Sequence, residues 1–256
     1  MLYDYQNTSW ELKAAPPEIA LLPVGATEPH ADHLPVGTVN VILDALARRV
    51  GERLSGSVYL LPTMPLGTSG LHLPQAGTVA LEWRTLMDVL TDLVESLLAQ
   101  GIHKVVVVDS IGGAAESAVR PRQNYIVKTA VRQLNYDHPD LDAIWVQPFT
   151  AAGRDLEAIL ESAGEDLHAG ELVTSLMLYL APDVVKAPGA DWVPDVERDV
   201  LDVVPFRQVC PYGVWGRPSL ASADKGRRAM EAAVQRTVEY IQSSFAHLAA
   251  MKRRPA

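Results

Sequence analysis

The chain has 256 residues, 48% of them hydrophobic and 21% charged, which suits a folded domain with a sizeable core and excludes a disordered segment. Its net charge of −9 disfavours nonspecific contact with nucleic acid and anionic lipid, and no apolar run approaches the ~20 residues of a membrane span. The single cysteine, Cys210, cannot form an intrachain disulfide.

Cys210 sits between Val209 and Pro211 with no neighbour to activate it, so it reads as a small buried hydrophobe. No basic segment followed by an apolar stretch opens the chain. The expected compartment is the cytoplasm.

In chain order, IALLPV at Ile19–Val24 is a continuous apolar run of the kind that forms a strand buried on both faces. Residues 38–54 place Val41, Leu43, Leu46, Ala47 and Val50 at helical spacing, and SVYLL at 57–61 reads as a second strand. Residues 82–100 carry one stripe of Leu86, Val89, Leu90, Leu93, Val94, Leu97 and Leu98, with Gly101 as the stop. KVVVV at 104–108 is the clearest buried strand, followed by a helix over 114–134 in which Pro121 marks a kink or break. AIWVQ at 143–147 is a further strand. Residues 154–162 and 168–180 look helical, the second ending at Pro182. Residues 188–218, rich in Pro, Gly and Trp, suggest an ordered excursion, and 221–251 a closing helix.

This alternation predicts an α/β fold: a mostly parallel sheet with helices on both faces, one domain over residues 1–256. Sites in such folds form where strands end at their carboxyl edge. The loop after Val24 reads GATEPHADHLPVGT and gathers Glu28, His30, Asp32 and His33 within six residues. Carboxylate oxygen and imidazole nitrogen are donors that a borderline divalent metal takes, although such histidines can equally cap helices or bond backbone. After the KVVVV strand, Asp109-Ser110-Ile111-Gly112-Gly113 could hold an anion or carbonyl oxygen, or be only a turn. His168, opening HAGELVTS, and His72, in GLHLPQAGT, can each be structural or functional.

Together these segments resemble the creatininase family of metal-dependent amidohydrolases. LPVGATEPHADHLPVGTV at 22–39 is similar to the family's LPVGSTEQHGPHLPLGTD, and His72 to Thr78 matches a histidine followed by proline-glycine-threonine. DSIGGA at 109–114 stands where the family has NGHGGN, and HAGELVTSLML at 168–178 resembles its HAGxxETSxML. The resemblance implies a compact α/β fold, often a homohexamer, that hydrolyses C–N bonds of small amides, cyclic amides, formamides or short peptides at a two-metal site.

Carried over, Glu28 and His30 match metal ligands, His168 matches an active-site histidine, and His33 matches a motif histidine. The family's bridging aspartate falls on Val39, the histidine of NGH on Ile111, the glutamate of ETS on Val173 and a further glutamate ligand on Gly113. Asp32 replaces a proline and Asp109 an asparagine. The expectation is therefore at most one divalent ion (zinc, manganese or iron), held by Glu28 and His30 with Asp32, His33 or His168. Glu28 and His168 are the expected catalytic groups, and His72, Asp109 and Ser110 the expected substrate contacts. The expected partners are a small-molecule substrate and further copies of the chain. A metal-free acid/base enzyme, or an inactive binding subunit that has kept the fold, are the alternatives.

Overall fold

The computed structural model describes residues 1–109, 122–187 and 189–252. Its five strands are β1 (Leu2–Tyr3), β2 (Ile19–Val24), β3 (Val58–Leu60), β4 (Lys104–Asp109) and β5 (Asp142–Val146). They form one sheet in the order β1-β3-β2-β4-β5, and every neighbouring pair is parallel. The α-helices of the described residues are α1 (Ser9–Ala14), α2 (Thr38–Arg53), α3 (Trp83–Leu98), α4 (Arg122–Asp137), α5 (Pro148–Ala151), α6 (Gly153–Glu157), α7 (Glu171–Leu180), α8 (Phe206–Val209) and α9 (Ala223–Lys252). The expected α/β architecture is what the structure has. No described helix is long and apolar enough to cross a membrane.

Period-two alternation divides the core. Ile19 and Leu21 of β2 face one apolar cluster while Ala20, Leu22 and Val24 face the other, and Val106/Val108 and Val105/Val107 of β4 alternate in step. The first cluster takes Leu43 and Leu46 of α2, Leu172 and Leu176 of α7, and Val234 and Ile241 of α9. The second takes Leu86, Leu90 and Val94 of α3 with Val127 and Leu134 of α4. Both faces of β2 and β4 are thus covered, which is why these strands read as unbroken apolar runs. Burying each leucine stabilises the fold by about 1.5–3 kcal/mol. Between α7 and α9 the approach is close enough that a Cβ on Gly226 would fall 1.9 Å from the Ser175 carbonyl oxygen.

From β2 the chain crosses to β3 on one side, and from β3 it crosses back over β2 to β4 on the other. In open parallel sheets ligands bind at such a reversal, outside the carboxyl ends of the strands, and here Val24 of β2 pairs with Asp109 of β4 at that edge.

Several expected boundaries shift for local reasons. The helix expected over 154–162 ends at Glu157. The Glu161 and Ser162 N–H groups donate instead to the Glu171 carboxylate, at 3.0 and 2.8 Å. The helix expected from His168 begins at Glu171. His168 is paired with Trp215 in an antiparallel bridge, and the buried Asp166 carboxylate takes the Leu172 N–H at 2.6 Å. Residues 114–121, Pro121 included, lie outside the described residues. The 188–218 excursion carries α8 and ties back through the bridges His168–Trp215 and Trp192–Gly216. Strand β1 and helix α1 had no expectation: the first is two residues long, and the second buries nothing.

Candidate active site

The loop after β2 is set by close packing. Gly25 donates its N–H to the Met64 carbonyl at 2.9 Å, and the Asn40 side chain lies where a Cβ on Gly25 would be, 2.0 Å from Asn40 Oδ1. Asn40 Oδ1 in turn accepts the Ala26 N–H at 3.1 Å, so α2 holds the loop that carries Glu28 and His30. A second loop brings His72, on a single 3₁₀ turn at Gly70–His72. The third element is the 166–170 segment before α7. Here Gly170 and Gly216 meet backbone to backbone: a Cβ on Gly170 would lie 3.1 Å from Gly216 Cα and 2.1 Å from Asp166 Oδ1.

These three loops place Glu28, His72 and His168 together. One ligating atom from each lies within 4.8 Å of the others. Glu28 Oε1 is 3.9 Å from His30 Nε2, and Glu28 Oε2 is 3.9 Å from His72 Nε2. The His30 and His168 rings stack at 4.5 Å between centroids, and His72 and His168 at 4.8 Å. The Phe206 ring of α8 closes one side, 5.1 Å from His72 and 4.8 Å from His168.

The hydrogen bonds fix which nitrogen keeps a lone pair. A carbonyl oxygen only accepts, so His30 Nδ1 donates to the Glu28 carbonyl at 3.1 Å and His168 Nε2 donates to the Pro29 carbonyl at 2.9 Å. In the neutral rings this leaves His30 Nε2 and His168 Nδ1 as acceptors. Anchoring the distal N–H on backbone is how proteins orient imidazoles that serve as ligands.

Burial keeps the rings neutral. It pushes His168 down to about 4, helped by His30, and His72 down to about 4, helped by His168. His30 is lowered too, by burial with Glu28 in partial opposition. Burial pushes the Glu28 carboxyl up, but His72, His30, His168 and the Ser69 hydroxyl outweigh it and hold the group below the ordinary carboxylate value. The site at neutral pH is one carboxylate among neutral imidazoles.

Not every expected residue joins this cluster. Asp32 is exposed, carried outward after Ala31 adopts φ 56°. His33 is buried with Nε2 on Thr174 Oγ1 at 2.9 Å and is not part of the group formed by Glu28, His72 and His168. His72, expected as a substrate contact, stands among the donors instead. Asp109 is fully buried at the end of β4 and accepts the Trp145 indole N–H at 3.1 Å. Ser110, Ile111 and Gly113 lie outside the described residues. Val39 and Val173, where the resemblance sets the family's carboxylates, belong to one apolar cluster with Leu34, Ala169 and Leu172. Phe206 had no expectation at all.

The family model described as creatininase, creatinine amidohydrolase, matches residues 6–241. A mycofactocin precursor peptide peptidase from Mycobacterium ulcerans is 33% identical over 238 residues, covering 87% of this chain and 83% of that protein. A creatinine amidohydrolase from Pseudomonas putida is 29% identical over 247 residues, covering 89% and 90%. Among solved structures, one named "Creatininase Mn" superposes with a TM-score of 0.74 at 21% identity, covering 96% of this chain and 99% of that one. At that identity the superposition establishes the fold alone. The span of the family match, together with the 33% identity across most of the chain, places this protein in the creatininase family of hydrolases.

Proposed function

We propose that this chain hydrolyses the C–N bond of a small, cyclic or peptide-like amide at a site that holds one divalent ion through Glu28, His72 and His168. The observation that carries the reading is the convergence of those three side chains within 4.8 Å, with their rings held neutral by burial. One carboxylate oxygen and two imidazole nitrogens suit zinc, manganese or iron. What supports a single ion is that Val39 and Val173 offer no donor atom and are packed into the core. The names of the relatives, an amidohydrolase of creatinine and peptidases of a precursor peptide, bracket the substrate class.

A bound ion would supply Lewis-acid stabilisation of charge developing on a carbonyl oxygen. The chain's own groups do the rest. Glu28 supplies the negative charge that holds a cation in an otherwise neutral pocket. His30, its Nδ1–H fixed on the Glu28 carbonyl, presents Nε2 towards Glu28 and can hold the proton released by an attacking water. Phe206 covers two of the rings and excludes water from that side. The same reading extends to a cytoplasmic homohexamer, checked by light scattering on the purified protein.

Elemental analysis of protein purified without added metal, followed by assays on formamides, lactams and short peptides with zinc or manganese restored, tests the proposal. The expected result is at most one ion per chain and a turnover that chelation abolishes. Two tightly held ions per chain would refute the site. No turnover on any of the three substrate types with one ion loaded would refute the hydrolase.

A further inference from the structure

Arg207 follows Phe206 on α8 and, like Arg49 on the Tyr179 hydroxyl and Arg198 on the Gly164 carbonyl, donates to neutral oxygens. Arg48, Arg53, Arg217, Arg227 and Arg236 each reach a carboxylate within 2.8 Å. The exposed Arg207 is held by neutral oxygens instead: its Nε donates to Gln75 Oε1 at 3.2 Å and its Nη1 to the Pro211 carbonyl at 2.8 Å. In a chain with net charge −9, a guanidinium whose described partners are an amide and a carbonyl keeps its positive charge uncompensated locally.

The first contact ties it to the loop that carries His72. Gln75 lies three residues after His72 and donates its backbone N–H to the His72 carbonyl at 2.8 Å. Phe206, one residue before Arg207, presses its ring on His72 and His168. Arg207 therefore bridges the 188–218 excursion to the His72 loop, one residue from the ring that packs on His72 and His168. Holding a side chain in place before a ligand arrives removes part of its ordering cost on binding.

We propose that Arg207 is a specificity-determining residue that receives a carboxylate on the substrate, next to the amide that is cleaved. This rests on the amide-hydrolase reading of the same site and narrows its substrate class to amides bearing a nearby carboxylate: the C-terminal unit of a peptide, or an N-acyl amino acid. The planar guanidinium fork matches a planar carboxylate bidentately, which a neutral amide terminus cannot reproduce. An anion approaching a protein of net charge −9 also needs a local cation to offset the general repulsion.

The test is binding of N-acetyl-Ala-Ala and of its C-terminal carboxamide to the zinc-loaded protein, by calorimetry, with hydrolysis of both followed separately. The expected result is that the acid binds about 10–100-fold more tightly than the carboxamide. That preference should collapse in Arg207→Met, which keeps length without charge, and survive in part in Arg207→Lys. Equal binding of acid and carboxamide by the wild type overturns the proposal whether or not the variants fold, as does binding of neither, or a preference that persists in a folded Arg207→Met. The outcomes are separable from those of the hydrolase reading. An acid preference without hydrolysis of any amide leaves Arg207 as a carboxylate site and removes the enzyme; hydrolysis without acid preference does the opposite.

Discussion

Two sets of positions singled out by the family motifs, a polar wall and an apolar wall, solve the problem of burial in opposite ways. On one, Glu28, His30, His72 and His168 are mostly buried, and His30 and His168 each anchor a ring N–H on a backbone carbonyl. On the other, Val39 and Val173 stand where the family motifs carry carboxylates, and both are 6% exposed or less within the apolar core. A buried polar group is tolerable only with its partners, whereas a buried valine needs none. Valine at these positions packs as ordinary core, while Glu28, His72 and His168 form a group that could hold an ion. The difference teaches that a family match over most of the chain leaves the metal count open, because that count depends on a few side chains of one wall.

The largest effect is expected from the polar wall. Glu28→Gln keeps shape and removes the one carboxylate of the donor set, so it should abolish stoichiometric metal binding and lower turnover by about 10²–10⁴-fold. Retained metal and activity in this variant would move the chemistry out of the loop after β2.

The apolar wall is probed in the opposite direction. Val39→Asp puts a carboxylate at a position 2% exposed and surrounded by the core cluster, which should cost about 3–5 kcal/mol in denaturant melts of the metal-free protein. Added zinc should recover little of that loss. If zinc restores full stability and the variant takes up a second ion, Val39 still faces the metal site and the contrast between the walls fails.

A pH experiment sharpens the polar side. His72 has an ordinary unfolded value of 6.5 and is pushed down to about 4 in the fold by burial. Between those values the unfolded chain binds more protons than the folded one, so stability is full above 6.5 and is lost as the pH falls towards 4. For His72 alone the loss should reach about 2–3 kcal/mol at pH 4.5 in metal-free protein. Subtracting the profile of His72→Gln isolates it from Asp166, whose value burial raises to about 7 and whose contribution runs the other way. Identical pH slopes for the two proteins would mean that His72 is not buried as a neutral ring.

Much of this arrangement could be read from the residues, and the limits have physical causes. Ile19–Val24 and the β4 run were legible because both faces of each strand are covered, so no polar alternation interrupts them. The α3 stripe was legible because one face alone meets the core. Glu28, His30 and His168 stood out through residue type, local clustering and motif resemblance. What failed was distance in sequence. His72 is more than forty residues from Glu28, and it enters the donor set only because the loops after β2 and β3 lie side by side, as the Thr27–Val79 and Val24–Met64 bridges show. Asp32 sat within the right spacing, but Ala31 turns the chain there and sends it outward. Phe206 reaches the rings of the site from an excursion that is tied back to His168 by a bridge, a pairing that no local pattern announces.

The smallest effect concerns the backbone beneath the histidines, and it compares the two walls directly. Ala31 follows His30 with φ 56°, and Ala169 follows His168 with φ 51°, both in the left-handed region that costs a residue with a Cβ about 1 kcal/mol. The strain is shared, but the surroundings differ. Ala31 is partly exposed, and its backbone is approached by Gly213, where an added Cβ would lie 3.0 Å from Ala31 Cα. Ala169 is fully buried and belongs to the apolar cluster that holds Val39 and Val173. Ala31→Gly should therefore relieve strain while losing little packing, and raise stability by about 0.5–1 kcal/mol. Ala169→Gly relieves the same strain but removes a buried methyl worth about 0.8 kcal/mol, so its net change should lie near zero or be destabilising. Urea melts of the two variants resolve the difference. An equal gain in both would show that the methyl of Ala169 contributes nothing to the apolar wall, and a loss in Ala31→Gly would show that the turn after His30 is held by contacts of that methyl rather than strained by it.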